Sequence, residues 1–188
     1  MSSLGRSVRD SSRKKDSARS GYSKIFTKKT DISMQSDKHM SYEAALKRAA
    51  ALCSNQEQCS SHIREKLNNW KLTSYDADKI IDLLIKEKFL DDARYATFYV
   101  HDKFRFNGWG KIKLRMMLSQ KEIPIAIIEE ALNQIDPDLY KQTCTRLISE
   151  KSASLKESNQ FKRKGKLYRF AAQRGFESDL IHQILSYL

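Results

Sequence analysis

Turn-forming residues are scarce in this sequence, which has two prolines and six glycines among 188 residues. Antiparallel sheets need frequent turns, and those turns rely on glycine and proline. The sequence also lacks an apolar run long enough to cross a bilayer, and it lacks the apolar core of a signal peptide. Its three cysteines show no framework spacing. We therefore expect an all-α protein in the reducing cytoplasm, with no membrane segment. We also expect the chain to be a monomer.

Positive charge is abundant, with 35 Lys and Arg against 23 Asp and Glu and a net charge of +12. This excess favours a polyanionic partner such as nucleic acid. Residues 1–40 contribute ten Lys and Arg against four Asp and Glu, together with many serines and few periodic apolar residues. Such a segment cannot bury enough surface to offset its ordering entropy. We expect a disordered basic N-terminal tail over residues 1–40.

After the tail, apolar residues recur at helical spacing and cap residues mark the helix starts. Ser41, Thr73 and Asp91 each precede such a run, where a side-chain oxygen can accept from free backbone N–H groups. Pro124 and Pro137 suit the first turn of a helix, where a missing N–H costs nothing. Within the stretch 89–135, this pattern predicts three short helices joined by tight turns.

The first two helices of that stretch have different apolar patterns. The first is apolar on most sides because Tyr95, Phe98 and Tyr99 flank its stripe, so we expect neighbours to bury it. The second is expected to face inward at Ile112, Leu114, Met117 and Leu118. Its cations, which we expect to face outward, are Lys111, Lys113, Arg115 and Lys121.

An internal repeat is the strongest organisational signal in the chain. Ile63, Leu67 and Leu72 align with Leu114, Leu118 and Ile123 at an offset of 51 residues. The second unit also aligns with a third unit, at an offset of 53 residues. Six positions of the third unit match without a gap: Leu167, Ala171, Phe176, Leu180, Ile181 and Leu185. Repeats of this size stack and bury their exposed faces on one another. The alignment predicts three-helix units over 41–88, 89–136 and 137–188.

Two windows contain basic residues and no acidic ones, at 103–121 and 160–176. Both cover the middle helix of a predicted unit, so stacking would place their cations on related surfaces that attract phosphates. Trp109 and Tyr168 lie within the windows and could stack on exposed bases. The candidate binding residues for nucleic acid or a nucleoprotein filament are Lys111, Lys113, Arg115, Lys121, Lys162, Arg163, Lys164, Lys166, Arg169 and Arg174.

Other kinds of site have weaker support in the sequence. Cys53, Cys59 and His62 cluster without a second ligand pair, so we expect no metal site. Asp91 and Asp92 are explained by helix capping, and no phosphate-binding loop is present. We therefore expect no cofactor and no enzyme activity. A helix-turn-helix protein that acts in transcription or DNA architecture stays open, although base-reading side chains at a helix start are not obvious.

The central segment resembles the signature of the RecX family of bacterial regulatory proteins. The resemblance rests on FLDDARYATFYV followed by GWGKIKLRMMLSQKEI, with its Phe-x-Asp-Asp start, its aromatic helix, its glycine turn and its Leu-x-x-Lys-x-Ile end. It is specific over about 89–132 and looser over 41–188. One departure is Glu122, which stands where the family commonly has glycine; the turn should still form, at a cost below about 1 kcal/mol.

The resemblance implies three tandem three-helix repeats in an elongated, curved array. It also implies binding to the RecA recombinase in the groove of its filament on single-stranded DNA, with weaker binding to duplex DNA. The outcome it implies is inhibition of filament growth, ATP hydrolysis and strand exchange, and thus a role in DNA recombination, DNA repair and the SOS response. The sequence does not assign which basic residues meet DNA and which meet RecA.

Overall fold

The computed structural model describes residues 40–187, and these residues contain nine α-helices and no strand. The predicted all-α class is therefore confirmed, while the predicted tail over 1–40 lies almost wholly outside the described residues. The helices are α1 (Tyr42–Asn55), α2 (Ser60–Asn69), α3 (Ser74–Lys86), α4 (Asp92–Asn107), α5 (Lys111–Ser119), α6 (Ile125–Asn133), α7 (Pro137–Ser154), α8 (Gln160–Gln173) and α9 (Ser178–Ser186).

Several helices begin at the cap residues that the sequence marks. The side-chain oxygens of Ser41 and Thr73 accept from the N–H groups of Ala44 and Asp76. Asp91 accepts from two N–H groups of α4, at 2.9 Å each. These bonds satisfy donors that a helix start would otherwise leave free, and they fix where each helix begins.

The helix pairs α2–α3, α5–α6 and α8–α9 are joined by the same turn, which confirms the internal repeat. In each turn the residue at positive φ is Lys71 (φ 65°), Glu122 (φ 58°) or Gly175 (φ 87°). The next residue donates its N–H to a carbonyl five residues earlier: Leu72 to Leu67, Ile123 to Leu118, and Phe176 to Ala171. This is the Schellman arrangement, which satisfies the last carbonyls of a helix.

The buried apolar side chains form two cores. Helices α1–α3 surround one core, and helices α4–α9 share a second core that runs across the two later repeats. Each core takes one side chain from the other side of the junction: Cys59 belongs to the second core, and Leu90 to the first. The first repeat is therefore anchored to the second, while the second and third repeats are fused.

Ile112, predicted to face inward, is 50% exposed. Its backbone N–H donates to the carbonyl of Gly175 at 3.0 Å, so a turn of the third repeat contacts the backbone at the start of α5. Leu114 and Leu118 are fully buried, as predicted. Ile112 lies two positions from Leu114 and therefore on another side of the helix, where it shares an outward face with Met116, which is also 50% exposed.

We predict that Glu122→Gly stabilises the protein by about 0.5–1 kcal/mol, because the left-handed conformation that costs a side chain is free for glycine. Urea unfolding followed by circular dichroism measures the change. The matched control is Gln120→Gly, two residues earlier in the same turn, where φ is −63°. That variant should lose about 0.5–1 kcal/mol, and equal effects of the two changes would contradict the strain argument.

Candidate nucleic-acid interface

The second and third repeats are joined by two turns whose backbones touch. The N–H of Gly110 donates to the carbonyl of Arg174 at 2.7 Å. A Cβ atom on Gly110 would lie 2.2 Å from the carbonyl oxygen of Gly175, and one on Gly175 would lie 2.4 Å from the Cβ of Lys113. Only glycine allows this approach. The contact places Lys111, Lys113 and Arg174 beside one another, from two separate basic windows.

Polar side chains complete this junction. The hydroxyl of Tyr140 accepts from the N–H of Lys111 at 2.9 Å and donates to Glu177 at 2.7 Å. Burial is the main reason why the pKa of Tyr140 lies well above its ordinary value, so the phenol keeps its proton. Arg174 donates to the carbonyl of Asn107 at 3.0 Å, and its guanidinium lies 4.7 Å from the ring centre of Phe170. Arg174 thus has a structural role at the junction.

Three other predicted cations are also engaged within the protein. Arg115 forms a two-point ion pair with Glu129, at 2.5 and 2.9 Å. The Arg115 guanidinium lowers the pKa of that carboxyl through this hydrogen bond. Lys166 pairs with Glu157 at 2.8 Å. Arg163 donates to the carbonyls of Ser152 and Leu155 at the end of α7. These three residues are held by their neighbours, which weakens the expectation that they face a ligand.

The remaining predicted cations fall in two places. Lys111, Lys113 and Lys121 lie on or just after α5 and are half-buried over aromatic rings. Lys162, Lys164 and Arg169 lie on α8, where Lys162 and Arg169 are exposed. That all of these cations form one continuous stripe stays a prediction.

Tyr95, Tyr99 and Trp109 form an aromatic ladder beside α5. The two tyrosine rings stack with centres 5.9 Å apart, and Tyr99 meets Trp109 edge-on at 6.4 Å. Tyr95 and Tyr99 are four residues apart, which puts them on one face of α4. Burial raises the pKa of Tyr95 to about 12 and also raises the pKa of Tyr99, so both rings are neutral near pH 7.

Three lysines lie against the aromatic ladder. The ammonium of Lys113 is 4.4 Å from the ring centre of Trp109, and that of Lys121 is 5.8 Å from Tyr95 and 5.9 Å from Tyr99. Lys103 is 5.8 Å from Tyr99 and also pairs with Asp102 at 3.0 Å. Neutral rings and mobile cations together can bind the bases and phosphates of a single strand.

The free energies of the two competing contacts decide whether the lysines would keep a base from stacking on the rings. An exposed cation–π contact contributes about 0.5–1 kcal/mol, while base stacking on an aromatic ring contributes about 1–3 kcal/mol. A base can therefore displace the lysine, whose ammonium is then free to meet a phosphate. Tyr95 and Tyr99 were expected to be buried by neighbours; they are half-buried, and their four-residue spacing to each other and to Lys103 is the signal that could have identified the ladder.

The residues considered for a metal site have other surroundings. Cys53, Cys59 and Cys144 are free thiols, and burial raises the pKa of Cys53 to about 11. His62 lies 2.6 Å from the side-chain oxygen of Gln58. Among residues 40–187 no group of three or more His, Cys, Asp and Glu side chains is placed to hold a metal ion. No helix in this part of the chain is long and apolar enough to span a membrane.

Comparison with known proteins points to one family. Residues 91–132 match the profile described as the second three-helix domain of RecX, and residues 139–185 match that of the third. The chain is 36% identical over 148 residues to the regulatory protein RecX of Clostridium botulinum Eklund 17B, covering 76% of this chain and 66% of that protein. It is 34% identical over 137 residues to the RecX of Chlorobium phaeobacteroides, covering 73% and 88%.

Solved structures show the same fold. The crystal structure of RecX from Lactobacillus salivarius superposes with a TM-score of 0.72 at 22% identity, covering 78% of this chain and 96% of that one. A second crystal structure, of regulatory protein RecX, gives a TM-score of 0.72 at 23% identity and covers 77% and 73% of the two chains.

We predict that Gly110→Ala destabilises the protein by about 3 kcal/mol, because its Cβ would overlap backbone atoms that cannot move independently. Urea unfolding measures the loss. Gly165→Ala is the matched control, because the added Cβ would meet no atom within 4 Å. If the urea concentration at the midpoint of unfolding is the same for Gly110→Ala and the wild type, the two turns do not depend on close backbone contact.

Proposed function

This chain belongs to the RecX family of regulatory proteins, and from that premise we propose that it binds the RecA recombinase filament on single-stranded DNA. Binding would lower filament growth, ATP hydrolysis and strand exchange, without catalysis by the chain itself. The single observation that carries this proposal is the aromatic ladder with Lys103, Lys113 and Lys121 against it. Family membership indicates the filament as the partner, and the aromatic ladder is a surface suited to the DNA strand in that filament. We also propose that the domains follow the helix triplets α1–α3, α4–α6 and α7–α9, and that the chain acts in the cytoplasm as a monomer.

The ladder fits a single strand better than a duplex. Base stacking on a side-chain ring requires a base whose face is open, and paired bases in a duplex cover each other's faces. The phosphate contribution needs no base reading, which agrees with the sequence of α5, where there is no Asn or Gln. The proposed contact is therefore independent of DNA sequence.

The alternative of a helix-turn-helix DNA reader lacks base-reading side chains. Such proteins place the start of the second helix of a turn-joined pair against base edges in the major groove. In this fold those second helices are α3, α6 and α9, whose first four residues are Ser-Tyr-Asp-Ala, Ile-Ala-Ile-Ile and Ser-Asp-Leu-Ile. None of these is the Arg, Lys, Asn or Gln that makes two-point contacts with a base.

RecA ATP hydrolysis on single-stranded DNA, titrated with this chain, tests the proposal directly. We expect inhibition at about 50 mM salt that weakens markedly at about 200 mM, because phosphate contacts release counterions. Lys103→Gln, Lys113→Gln and Lys121→Gln together should raise the half-inhibitory concentration about tenfold, since three charge contacts at the surface contribute about 1–2 kcal/mol in total.

The charge-matched control changes three exposed lysines away from the ladder: Lys47→Gln, Lys86→Gln and Lys141→Gln. This variant should inhibit within about twofold of the wild type. Equal inhibition by the two triple variants would remove the ladder from the mechanism. No effect of the wild-type chain on RecA would remove the proposed function. A gel shift that favours one duplex sequence would support the helix-turn-helix alternative.

Tryptophan fluorescence reports on the ladder itself. The sequence has two tryptophans, and Trp70→Phe leaves Trp109 as the only one. We predict that an oligothymidylate quenches Trp109 emission in this variant, because a base stacks on the ring and displaces Lys113. The converse variant, Trp109→Phe, should show little quenching. Equal quenching in the two variants would mean that the signal does not come from the ladder.

A further inference from the structure

A second aromatic surface lies between α8 and α9, away from the aromatic ladder. Four residues of α8 share one face because they are spaced by three and four positions. The groove that they form with α9 has a volume of about 450 Å³ and is lined by Phe161, Lys164, Gly165, Tyr168, His182, Leu185 and Ser186. We call this the α8–α9 groove.

Gly165 is the unusual residue of this groove. It lies in the middle of α8, where glycine lowers helix stability relative to alanine. No turn or positive φ requires it, and an alanine Cβ would meet no atom within 4 Å. The folded chain therefore gives no packing reason for this glycine. Glycine is suited to sites where a ligand approaches a helix backbone closely.

The walls of the groove are aromatic and their orientation is fixed. The rings of Tyr168 and His182 lie 5.1 Å apart at an angle of 36°. The Tyr168 hydroxyl is 2.8 Å from the Ser178 hydroxyl, which holds the ring in place. Phe161, at the rim, is 88% exposed, so its ring has almost no contact within the chain. The exposed Phe161 ring is therefore available to stack on a flat ring that enters the groove beside Tyr168.

The charge of the groove selects the occupant. Lys164 lines it, and no acidic residue does. Around it, α8 has no acidic residue along its whole length and carries exposed Lys162 and Arg169. An aromatic floor with a cation at its edge matches a base attached to a phosphate. A peptide with only basic or neutral side chains gains nothing from these cations.

We propose that the α8–α9 groove binds one nucleotide of a single-stranded nucleic acid. The base stacks beside Tyr168 under Phe161, the sugar–phosphate backbone passes over Gly165, and a phosphate meets Lys164. This inference rests on the proposed function for the source of the strand. It adds a binding site in the third repeat that is separate from the aromatic ladder in the second.

The first test compares two aromatic residues that are almost equally exposed. Phe161 lines the groove, and Tyr187, 82% exposed, does not. Fluorescence anisotropy of a fluorescein-labelled oligothymidylate of about 20 nucleotides measures affinity for the full chain. Phe161→Ala should weaken binding about fivefold, the loss of one stacked base, while Tyr187→Ala stays within about twofold. Equal affinities of the two variants would overturn the groove.

The second test uses Gly165→Ala, for which stability and binding should change in opposite directions. Melting temperature should rise by about 2 °C, because alanine favours the helix. Affinity for the oligothymidylate should fall about threefold, because the methyl group meets the strand backbone. A rise in melting temperature with unchanged affinity would show that nothing approaches α8 at this position, and the proposal would fail.

RecA ATPase measurements separate this inference from the proposed function. If both groove variants lose oligothymidylate affinity and the wild type has no effect on RecA, the groove stands and the RecA assignment falls. If both variants bind the oligothymidylate normally but inhibit RecA poorly, the groove contacts protein and the nucleotide assignment falls. A wild-type chain that does not bind the oligothymidylate would also overturn the groove.

Discussion

Direct contact between two turn backbones is the constraint on which the later two repeats depend. Gly110 donates to Arg174, and Ile112 donates to Gly175, so the start of one helix is completed by the end of another about 60 residues away. A side chain at either glycine would enter space that backbone atoms already fill. This contact lets α4–α9 share one core, and it aligns the lysines of α5 with the end of α8.

The sequence predicted the helices and their caps because those depend on neighbours along the chain. Asp91 caps α4, and the turn at Glu122 forms with φ at 58° although glycine is absent there. Ile112 is 50% exposed although it was predicted to face inward. A residue two positions from Leu114 lies on another side of the helix, beside exposed Met116, so that prediction was wrong on spacing alone. Helical spacing cannot predict the backbone contact at the start of α5, because that contact comes from a distant turn.

The candidate site was harder to predict because the net charge of a surface depends on residues that are distant in the sequence. Two windows without acidic residues marked α5 and α8, yet Arg115 is paired with Glu129 and Lys166 with Glu157, both from outside the windows. A segment without acidic residues can still be paired with acidic residues that the fold brings to it from elsewhere in the chain. The apolar pattern did not predict the aromatic ladder, because half-buried tyrosines recur at the same helical spacing as buried ones. Its lysines come from the end of α4 and from both ends of α5, so only the fold reveals them together.

The junction between the first two repeats has a mechanical consequence. It consists of the Ser60–Asp92 and Ser61–Lys121 hydrogen bonds, the Arg94–Glu57 ion pair, and the exchanged side chains Cys59 and Leu90. The free energy needed to open such a junction is lower than that needed to separate two backbones in direct contact around a shared core. Bending along the chain therefore concentrates between α3 and α4. In the proposed complex with a filament, the fused pair would stay bound while the first repeat follows changes in the helical pitch.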